Sequence, residues 1–436
     1  MLRRWCQKHI ERRPRIGLKN AAMTEANEGA GKMPDLLIIG GGYAGLWAAM
    51  AAARRAQDGV SGGDLSIRLL TRDAYLTHRP RLYESNPQDM RTPLGPVLEP
   101  IGVELALGEV NAIDPTARRV RATGPEGQDN EYQYDGLILA AGSVLRRPAM
   151  ETVNARTWCI DDHASAVALD QHLTARMAIP EADGDANDDT VVIIGAGFTG
   201  IELATEMRGR LAEHGGTARA ERARVILLDA APTISEDLGP VPRPHILEAL
   251  RAARVEVRLN TMVQRIENDQ LTLNDGGVIT SSTVIVTTGA RANSLAASLG
   301  LDTDAMGRLF VDENLSVEGL AGIHAAGDIA HALTEPGTDG GHVALMSCQH
   351  AMPMGKAAGY NAASVLMNLA SRPYKQARYV TCVDLGPWGA VFSTGWERQV
   401  ELIKAEAKAR KQFVMTEVIY PPMHDRAAIL EAGALT

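Results

Sequence analysis

Cysteine is scarce in this sequence. The four cysteines, Cys6, Cys159, Cys348 and Cys382, form no C-x-x-C or other close pair. Closely spaced cysteines are what metal sites, dithiol redox motifs and disulfide frameworks require. The sequence therefore favours a reduced, cytoplasmic compartment, and no metal site is expected.

Long apolar runs and an excess of basic charge are also missing. No stretch approaches the roughly eighteen apolar residues that a membrane-spanning helix needs, and the formal net charge is -9. Nucleic-acid binding needs clustered Lys and Arg, so no nucleic-acid partner is expected. Contact with a membrane surface stays open. With 436 residues, the chain is long enough for two or three domains.

The basic residues that are present gather near the start of the chain. Residues 1–20 carry seven Lys or Arg and one acidic residue, but they lack the apolar core of a secretory signal. We expect residues 1–33 to be a disordered N-terminal extension, with the true start at Met23 or Met33. A transit peptide and a basic arm that touches a membrane are the alternatives.

One strand, turn and helix pattern occurs twice. Leu36–Ile39 precede Gly40-Gly41-Gly42-Tyr43-Ala44-Gly45, and Val191–Ile194 precede Gly195-Ala196-Gly197-Phe198-Thr199-Gly200. A further apolar run closes each copy and ends in glycine, at Gly142 and at Gly289. Two G-x-G-x-x-G motifs in this context predict two Rossmann-like dinucleotide-binding folds.

Each glycine of the motif has a physical role. The first makes the tight turn, the second lets the backbone approach a pyrophosphate, and the third lets helix and strand pack closely. The N–H groups and the dipole at the start of the helix then hold the phosphates. The structural alternative is that the glycines form compact turns that bind no ligand. This alternative would have to hold for both copies of the motif.

The residue after the second strand of each fold distinguishes the two nucleotides. Asp229 follows Val225–Leu228, and a carboxylate there suits the ribose hydroxyls of NADH and repels the extra phosphate of NADPH. In the first copy this place is taken by Thr71, followed by Arg72 and Asp73. We therefore expect NADH on the second fold, and Thr71 or Asp73 at the ribose on the first.

A further motif, Ala326-Gly327-Asp328, closes a short strand late in the chain. The order of the motifs over residues 34–370 resembles the pyridine nucleotide-disulfide oxidoreductase superfamily. The resemblance implies FAD on the first fold, with Asp328 at its ribityl-phosphate region, and NADH on the second. It implies an α/β protein with these parts: a discontinuous FAD-binding domain (34–148 and 290–372), an inserted NAD(H)-binding domain (149–289) and a small C-terminal α+β region (373–436).

Three segments resemble type II NADH dehydrogenases and their relatives: Arg79-Pro80-Arg81-Leu82-Tyr83-Glu84, Gly200-Ile201-Glu202-Leu203-Ala204 and Cys348-Gln349-His350-Ala351. The helix after the first turn has no cysteine, so disulfide reduction by the superfamily's usual route is not expected. The resemblance implies that Glu202 faces the nicotinamide and the flavin, and that Gln349 lies near the quinone side of the flavin. His350 is a candidate proton donor to the acceptor, with a structural role as the alternative.

Two features depart from that family. Pro353 stands where the family has a second glutamine, and the C-terminal region lacks a hydrophobic pair of anchoring helices. We expect an FAD-dependent NADH:acceptor oxidoreductase that passes electrons to a quinone or quinone-like acceptor. The alternative is a soluble NADH-dependent flavoprotein that serves a small molecule or a redox protein. A homodimer and peripheral contact with the inner face of the cell membrane stay open.

The cysteines and Glu202 also have structural explanations. Cys159 and Cys348 invite comparison with sulfide:quinone oxidoreductases, whose cysteines attack sulfide beside the flavin. However, Thr157–Ile160 is typical of a buried strand, and a buried free cysteine usually behaves as a small hydrophobic residue. A carboxylate at Glu202, in the first turn of a helix, is favourable to the helix dipole without any catalytic purpose.

The C-terminal region has two predicted elements. The stretch from Tyr379 to Phe392 predicts a β element with a turn at Gly386-Pro387. From Trp396 onward, apolar residues recur at helical spacing, which predicts an amphipathic helix that covers the core or lies on an anionic bilayer. Its apolar positions are Val400, Ile403 and Ala407, and the positions expected on its surface are Lys404, Lys408, Arg410 and Lys411.

The candidate site residues fall into two groups. Those expected to act in catalysis are Glu202, Gln349 and His350. Those expected to contact the two cofactors, FAD and NADH, are Gly40, Gly42, Tyr43, Ala44, Gly45, Thr71, Arg72, Arg79, Ala141, Gly142, Gly195, Gly197, Phe198, Thr199, Gly200, Glu202, Asp229, Gly289, Gly327, Asp328 and Gln349.

Overall fold

The computed structural model describes residues 33–58, 65–179, 189–335 and 341–435. Apart from Met33, the predicted N-terminal extension lies outside the described residues. The architecture given below refers to these four ranges.

The described residues form nine α-helices, and none of them combines the length and apolar character needed to cross a bilayer. They are α1 Tyr43–Ala56, α2 Gly95–Leu98, α3 His163–Met177, α4 Phe198–Gly215, α5 Thr217–Arg222, α6 Arg243–Ala252, α7 Cys348–Leu366, α8 Lys404–Phe413 and α9 Arg426–Ala432.

The same residues form 26 strands in eight sheets. They are β1 Asp35–Ile39, β2 Ser66–Thr71, β3 Tyr75–Thr77, β4 Arg91–Pro93, β5 Glu104–Leu107, β6 Glu109–Asp114, β7 Arg119–Thr123, β8 Asp129–Gln133, β9 Gly136–Leu139, β10 Ser143–Leu145, β11 Glu151–Val153, β12 Thr157–Trp158, β13 Thr190–Ile194, β14 Arg224–Leu228, β15 Val255–Arg258, β16 Val263–Glu267, β17 Gln270–Leu273, β18 Val278–Thr280, β19 Thr283–Val286, β20 Ala290–Ala292, β21 Leu309–Phe310, β22 Ile323–Ala325, β23 Ala330–His331, β24 Val380–Asp384, β25 Ala390–Thr394 and β26 Gln399–Ile403.

The first central sheet is parallel and has the strand order β22-β9-β1-β2-β5. Its inner strands β1 and β9 are buried along nearly their whole length, which is why they are continuous apolar runs rather than alternating ones. At the end of β1, Ile39 pairs with Leu70 of β2 and with Leu139 of β9. The first glycine turn therefore leaves the middle of the sheet at its carboxyl edge.

The second central sheet repeats this arrangement with the parallel order β12-β19-β13-β14-β15. At the end of β13, Ile194 pairs with Leu228 of β14 and with Val286 of β19. Nucleotides bind outside the carboxyl ends of strands in such sheets. The predicted α/β class with two Rossmann-like folds is confirmed.

The chain crosses between the two folds twice, and the crossing strands pair with each other. β10 and β20 are antiparallel, with Val144 opposite Arg291. After β20 the chain returns to the first sheet as β22, which pairs with β9. The second fold is therefore inserted into the first.

Helix α7 packs against α1 at close range. A Cβ on Gly355 would lie 2.2 Å from the carbonyl oxygen of Ala44, and one on Gly359 would lie 2.1 Å from that of Ala48. The two helices advance together along this contact, so they run in the same direction. The first residues of α7 consequently lie beside the first glycine turn.

The C-terminal region is an antiparallel sheet, β24-β25-β26, with α8 packed against it. The predicted β element with its turn at Gly386 is confirmed. The helix predicted from Trp396 is wrong over Gln399–Ile403, which form β26. There Val400 and Leu402 are less exposed than their neighbours. This alternation, with a period of two residues, is typical of a strand.

Candidate active site

The first glycine turn has the shape that a pyrophosphate requires. Gly40 has a φ of 110°, and a Cβ there would lie 2.3 Å from the carbonyl oxygen of Ala140. A Cβ on Gly45 would lie 1.8 Å from the carbonyl oxygen of Gly40, so only glycine lets α1 pack this closely on β1. Around the same position on Gly42, no atom of the described residues outside 41–43 lies within 4 Å. This open space at the start of α1 fits a phosphate group.

The second glycine turn is a close copy of the first. Gly195 also has a φ of 110°, and a Cβ there would lie 2.7 Å from the carbonyl oxygen of Thr287. A Cβ on Gly200 would lie 1.9 Å from the carbonyl oxygen of Gly195. The residues before the two helices, Gly42 and Gly197, have φ and ψ of -78° and -172° and of -77° and -171°. Both motifs therefore form the same backbone structure.

The glycines that follow later strands also take turn conformations. Ala141-Gly142 and Gly289 lead β9 and β19 into the crossing strands, and φ is 67° at Gly142 and 84° at Gly289. Gly327, after β22, has a φ of 76°, and a Cβ there would lie 2.8 Å from Cβ of Ala44. The late motif thus lies directly against the start of α1.

The side chains after β2 differ in how close they are to the first turn. A Cβ on Gly41 would lie 2.8 Å from Oγ1 of Thr71, so Thr71 borders the turn. Arg72 is exposed. Asp73 forms an ion pair with Arg91 at 3.1 Å. Of the two residues predicted at the ribose, only Thr71 is adjacent to the turn in this geometry.

Asp328 and Arg79 belong to one polar network. Oδ2 of Asp328 accepts a hydrogen bond from Oγ of Ser143 at 2.6 Å and lies 3.8 Å from Nη1 of Arg79. Nη2 of Arg79 forms an ion pair with Asp161 at 2.6 Å. Because Asp161 follows β12 of the second sheet, Arg79 connects the two folds. No motif in the sequence points to Ser143 or Asp161.

Asp229 faces the second turn from the end of β14. Its Oδ2 accepts a hydrogen bond from the N–H of Ala196 at 2.5 Å, and its Oδ1 accepts one from the N–H of Ala231 at 2.8 Å. Thr71 has the corresponding place in the first fold and carries no charge. The carboxylate therefore adds negative charge where dinucleotide folds place the adenosine ribose.

A buried hydrogen-bond chain adjoins Tyr43 at the start of α1. The Tyr43 hydroxyl lies 2.9 Å from Nδ1 of His78, whose Nε2 lies 2.8 Å from Oγ1 of Thr92. The His78 ring stacks on Tyr420 with the ring centroids 3.9 Å apart. Burial, aided by Arg81, lowers the pKa of His78 to about 4, so its ring is neutral at pH 7.

Glu202 lies in α4, two residues after the third glycine of the second turn, and it is buried against a lysine. Its Oε1 lies 2.8 Å from Nζ of Lys411, and each side chain is 4% exposed. The same oxygen accepts a hydrogen bond from the N–H of Asp384 at 3.0 Å. Burial raises the pKa of Glu202 to about 7, although Lys411 and the N–H of Asp384 act in the opposite direction. The carboxyl group can therefore bind and release a proton near neutral pH.

Lys411 also contacts the second glycine motif and the segment 79–84. Its Nζ donates to the carbonyl oxygen of Cys382 at 3.1 Å and lies 5.4 Å and 5.6 Å from the ring centroids of Phe198 and Tyr83. The prediction that Lys411 lies on the helix surface is wrong. α8 packs with this face toward α4 and β24, which buries the ammonium group.

A second charged cluster lies next to the first. Nζ of Lys408 lies 2.5 Å from Oδ1 of Asp384 and 3.0 Å from Oε1 of Glu206. The Tyr83 hydroxyl donates to Oδ2 of Asp384 at 3.0 Å. The segment 79–84, helix α4 and the C-terminal region therefore meet at one place.

The sequence does contain a signal for this contact. Glu202 and Glu206 are four residues apart on one helix, and Lys408 and Lys411 are three apart on another. Residues at these spacings lie on the same face of a helix. Two carboxylates on one face and two ammonium groups on another are complementary, but the sequence does not say that the two faces meet.

Gln349 and His350 begin α7, and their side chains bind to the protein. The Gln349 amide donates to the carbonyl oxygen of Val380 at 3.0 Å and accepts from its N–H at 3.1 Å. His350 is fully buried, with Nδ1 2.9 Å from Oε1 of Gln376. Burial lowers the pKa of His350, so its ring is neutral at pH 7. These contacts attach α7 to the C-terminal sheet, and the catalytic roles of both residues stay predictions.

The cysteine thiols near the site are not activated. Burial raises the pKa of Cys348 and that of Cys382 to about 11. A thiol attacks as the thiolate, so both groups are protonated and unreactive at pH 7. Cys159 is buried after β12. Within the four described ranges, no cluster of His, Cys, Asp and Glu has the arrangement of a metal site.

Comparison with known proteins agrees with this geometry. The pyridine nucleotide-disulphide oxidoreductase family model matches residues 34–355. An NADH dehydrogenase-like protein of Mycobacterium tuberculosis is 40% identical over 410 residues, which are 92% of this chain and 98% of that protein. A type II NADH:quinone oxidoreductase of the same species, NdhA, is 30% identical over 71% of this chain and 68% of its own.

Solved structures share the fold at low identity. The NDH2 of Plasmodium falciparum, in complex with NADH, has a TM-score of 0.73 at 12% identity, covering 92% of this chain and 97% of that one. The sulfide:quinone oxidoreductase of Aquifex aeolicus has a TM-score of 0.69 at 17% identity, covering 88% and 90%. At these identities the likeness concerns the fold alone.

The chain belongs to the pyridine nucleotide-disulphide oxidoreductase family. It is an enzyme of that family, an NADH-dependent flavin oxidoreductase. The predicted family, fold class and type of enzyme are confirmed. The domain boundaries, the roles of the individual site residues, the homodimer and the membrane contact stay predictions.

Proposed function

We propose that the enzyme binds FAD on the first fold and NADH on the second, and that it passes the electrons to a quinone. The relatives named as NADH dehydrogenase-like and as type II NADH:quinone oxidoreductases support this choice. The observation that carries it is the buried Glu202–Lys411 pair beside the second turn, because quinone reduction needs protons as well as electrons. The reaction converts NADH, a quinone and a proton into NAD+ and the quinol.

The first turn and the late motif fit FAD. The open space at Gly42 lies at the start of α1, where the N–H groups of the helix bind a pyrophosphate. Asp328 lies beside it with Ser143 and Arg79, so its carboxylate is oriented before the cofactor binds. When bound, FAD supplies the chemistry of accepting hydride from NADH and passing electrons on.

Glu202 and Lys411 are proposed to handle the protons and charge of quinone reduction. With a pKa of about 7, Glu202 is close to half protonated at neutral pH, so it can give a proton to a quinone oxygen and regain one from water. The ammonium group of Lys411 remains charged because burial, which lowers its pKa, is outweighed by Glu202. A buried cation stabilises negative charge that develops on the quinone.

His350 is assigned a structural place in this scheme. Its ring is fully buried between Gln376 and the C-terminal sheet and is neutral at pH 7. A neutral ring lacks the additional proton of the imidazolium ion, so it is a poor proton donor at pH 7. Gln349 contributes by fixing β24, which carries Asp384 toward Glu202.

The test compares acceptors that need protons with acceptors that do not. In Glu202→Gln we expect the rate with a soluble quinone to fall by about a hundredfold, the typical effect of losing a positioned acid. The rate with ferricyanide, which takes electrons alone, should fall far less. Reduction of the flavin by NADH is followed separately by stopped-flow absorbance.

Glu206→Gln is the matched control, since Glu206 lies one turn further along α4 and bonds to Lys408. It should leave the quinone to ferricyanide ratio near that of the wild type. An equal loss with both acceptors in Glu202→Gln would count against the proton role. A wild type that reduces ferricyanide but no quinone would count against the quinone assignment.

We also propose that the enzyme reaches its lipid-soluble acceptor at the cytoplasmic face of a membrane. Phe413, Val418 and Met423 are 50%, 45% and 42% exposed and follow one another at and beyond the end of α8. Substituting all three by Ser should reduce co-sedimentation with anionic lipid vesicles. Val278→Ser is the control, because Val278 is 58% exposed but lies on the second fold. Equal co-sedimentation of both variants would refute this surface.

A further inference from the structure

Asp237 lies over the second glycine turn. It belongs to the short turn Glu236–Leu238, in the loop that follows Asp229. A Cβ on Gly197 would lie 3.8 Å from Oδ2 of Asp237, and no other atom of the described residues outside 196–198 lies within 4 Å of that position. Around the corresponding position on Gly42 in the first turn, the described part of the chain outside 41–43 has no atom within this distance. The two turns thus differ where a pyrophosphate would lie.

The carboxylate of Asp237 lies at the start of α4, on an exposed side chain. Partial desolvation raises the pKa of this carboxyl group, whereas Arg398 and backbone N–H groups that include those of Phe198 and Leu238 lower it. Phe198 is the first residue of α4, and its N–H has no partner within the helix. The first N–H groups of such a helix are the ones that hold a nucleotide phosphate. A carboxylate oxygen in this position therefore stands in for a phosphate oxygen.

The loop is held in this conformation by its own packing. Ser235 is buried and has a φ of 56°, which is uncommon for a residue other than glycine. Ile234 is also buried, and its carbonyl oxygen accepts a hydrogen bond from Nε of Arg243 at 2.9 Å. A residue stays in such a backbone region only where the surrounding structure fixes it. Asp237 is consequently presented to α4 by a defined loop.

We propose that Asp237 sets the affinity for the nicotinamide nucleotide, because its carboxylate occupies the start of α4 and must be displaced by the pyrophosphate of NADH. This inference rests on the proposed function, in which the second turn holds NADH. The two groups are both negative and compete for the same N–H groups. The consequence is a substrate that binds more weakly than the turn alone would allow and leaves readily after hydride transfer.

The test is calorimetric titration of the flavin-containing protein with ADP-ribose, which has the pyrophosphate and lacks the nicotinamide. We expect Asp237→Asn to bind ADP-ribose about tenfold more tightly than the wild type. Glu236→Gln is the matched control, because Glu236 is the adjacent carboxylate and bonds to Oγ1 of Thr233 at 3.2 Å. It should leave the affinity unchanged. Adenosine, which has no pyrophosphate, should bind all three proteins alike.

Three results would overturn the inference in distinguishable ways. Equal ADP-ribose affinity in the wild type and Asp237→Asn refutes the role of Asp237 and leaves the NADH site standing. Equal tightening in Glu236→Gln, or tightening for adenosine, places the effect elsewhere than at the pyrophosphate. Failure of all three proteins to bind either ADP-ribose or NADH refutes the proposed NADH site itself. Flavin content and melting temperature, measured in parallel, report whether each variant is folded.

Discussion

The two glycine turns have the same backbone and different neighbours. Gly40 and Gly195 share a φ of 110°, and the helices start from nearly identical angles. The Cβ position of Gly42 faces open space among the described residues, whereas the carboxylate of Asp237 lies over that of Gly197. The backbone therefore forms the same nucleotide-binding turn twice, and the side chains around the two turns differ.

The helices that follow the turns differ in the same sense. The residue two places after the third glycine is buried Trp47 in α1 and buried Glu202 in α4. At the end of the second strand, uncharged Thr71 corresponds to Asp229. At the position two places after the third glycine, α1 has a buried apolar side chain, which suits a cofactor that stays. The same position in α4 has a buried titratable side chain, which suits a reaction that moves protons.

The largest expected effect separates the two turns directly. Gly45→Ala and Gly200→Ala each place a Cβ within 2 Å of a backbone carbonyl oxygen, so each should destabilise its own turn by about 3 kcal/mol. Gly45→Ala should abolish the visible flavin absorbance of the purified protein. Gly200→Ala should retain the flavin and lose its reduction by NADH.

Gly209→Ala, at an exposed position later in α4, is the control and should preserve both properties. Flavin retained in Gly45→Ala at the wild-type ratio would remove the first turn from the flavin site. Loss of flavin in Gly200→Ala with normal folding would mean that the two turns are not independent.

The next effect concerns the buried carboxyl group of Glu202 in α4, where α1 has Trp47. Lys411→Met leaves the Glu202 carboxyl buried without its cation, which should cost about 3 kcal/mol of unfolding free energy. Lys404→Met is the control, since Lys404 is 55% exposed and lies 3.6 Å from its partner. It should change stability by less than about 0.5 kcal/mol. Urea unfolding measures both, and similar values for the two variants would contradict the account.

The free energy of unfolding should depend on pH because Glu202 titrates near neutral pH. The pKa of Glu202 is about 7 in the folded protein and 4.5 for an ordinary glutamate, so the folded state holds the proton more tightly. Its contribution to stability is fully present below pH 4.5 and is lost as the pH rises through about 7. Glu202→Gln should remove this decline in urea unfolding between about pH 5 and pH 8. An unchanged profile in the variant would assign the titration to another group.

A smaller effect is expected at the ends of the second strands. Asp229→Ala should shift the ratio of kcat/KM for NADPH to that for NADH by about tenfold toward NADPH, because it removes a negative charge beside the ribose. Thr71→Ala, at the corresponding place in the first fold, should leave this ratio unaltered. A shift of the same size in both variants would contradict the assignment of NADH to the second fold.

The smallest effect is expected for Arg72. Its side chain is 71% exposed and its Nη1 lies 3.8 Å from Glu109, so Arg72→Ala should change flavin affinity by less than about twofold. Apoprotein titration with FAD measures this. A large loss would show that Arg72 turns toward the cofactor on binding.

The local part of the structure could be predicted from the sequence. Apolar runs before glycine turns identify β1 and β13, because buried parallel strands and tight turns leave a contiguous signal. The helical prediction is wrong for β26 because Val400 and Ile403 also suit helical spacing. The alternation of Val400 and Leu402 is the competing signal, and it is weak at the edge of a small sheet.

The long-range part could not be predicted. Glu202 and Lys411 are 209 residues apart, and a lysine on an amphipathic helix is ordinarily solvated. Asp237 gives no motif at all, since its position depends on how one loop packs. Contacts of this kind depend on which surfaces meet, and a single sequence does not encode that as a local pattern.

The most direct test of the duplicated turns is anaerobic titration of the purified protein with NADH, followed at the visible absorbance of the flavin. We predict that the protein is isolated with bound FAD and that roughly one NADH per flavin reduces it fully. Protein that folds without flavin and takes up none, or flavin that NADH leaves oxidised, would contradict the account.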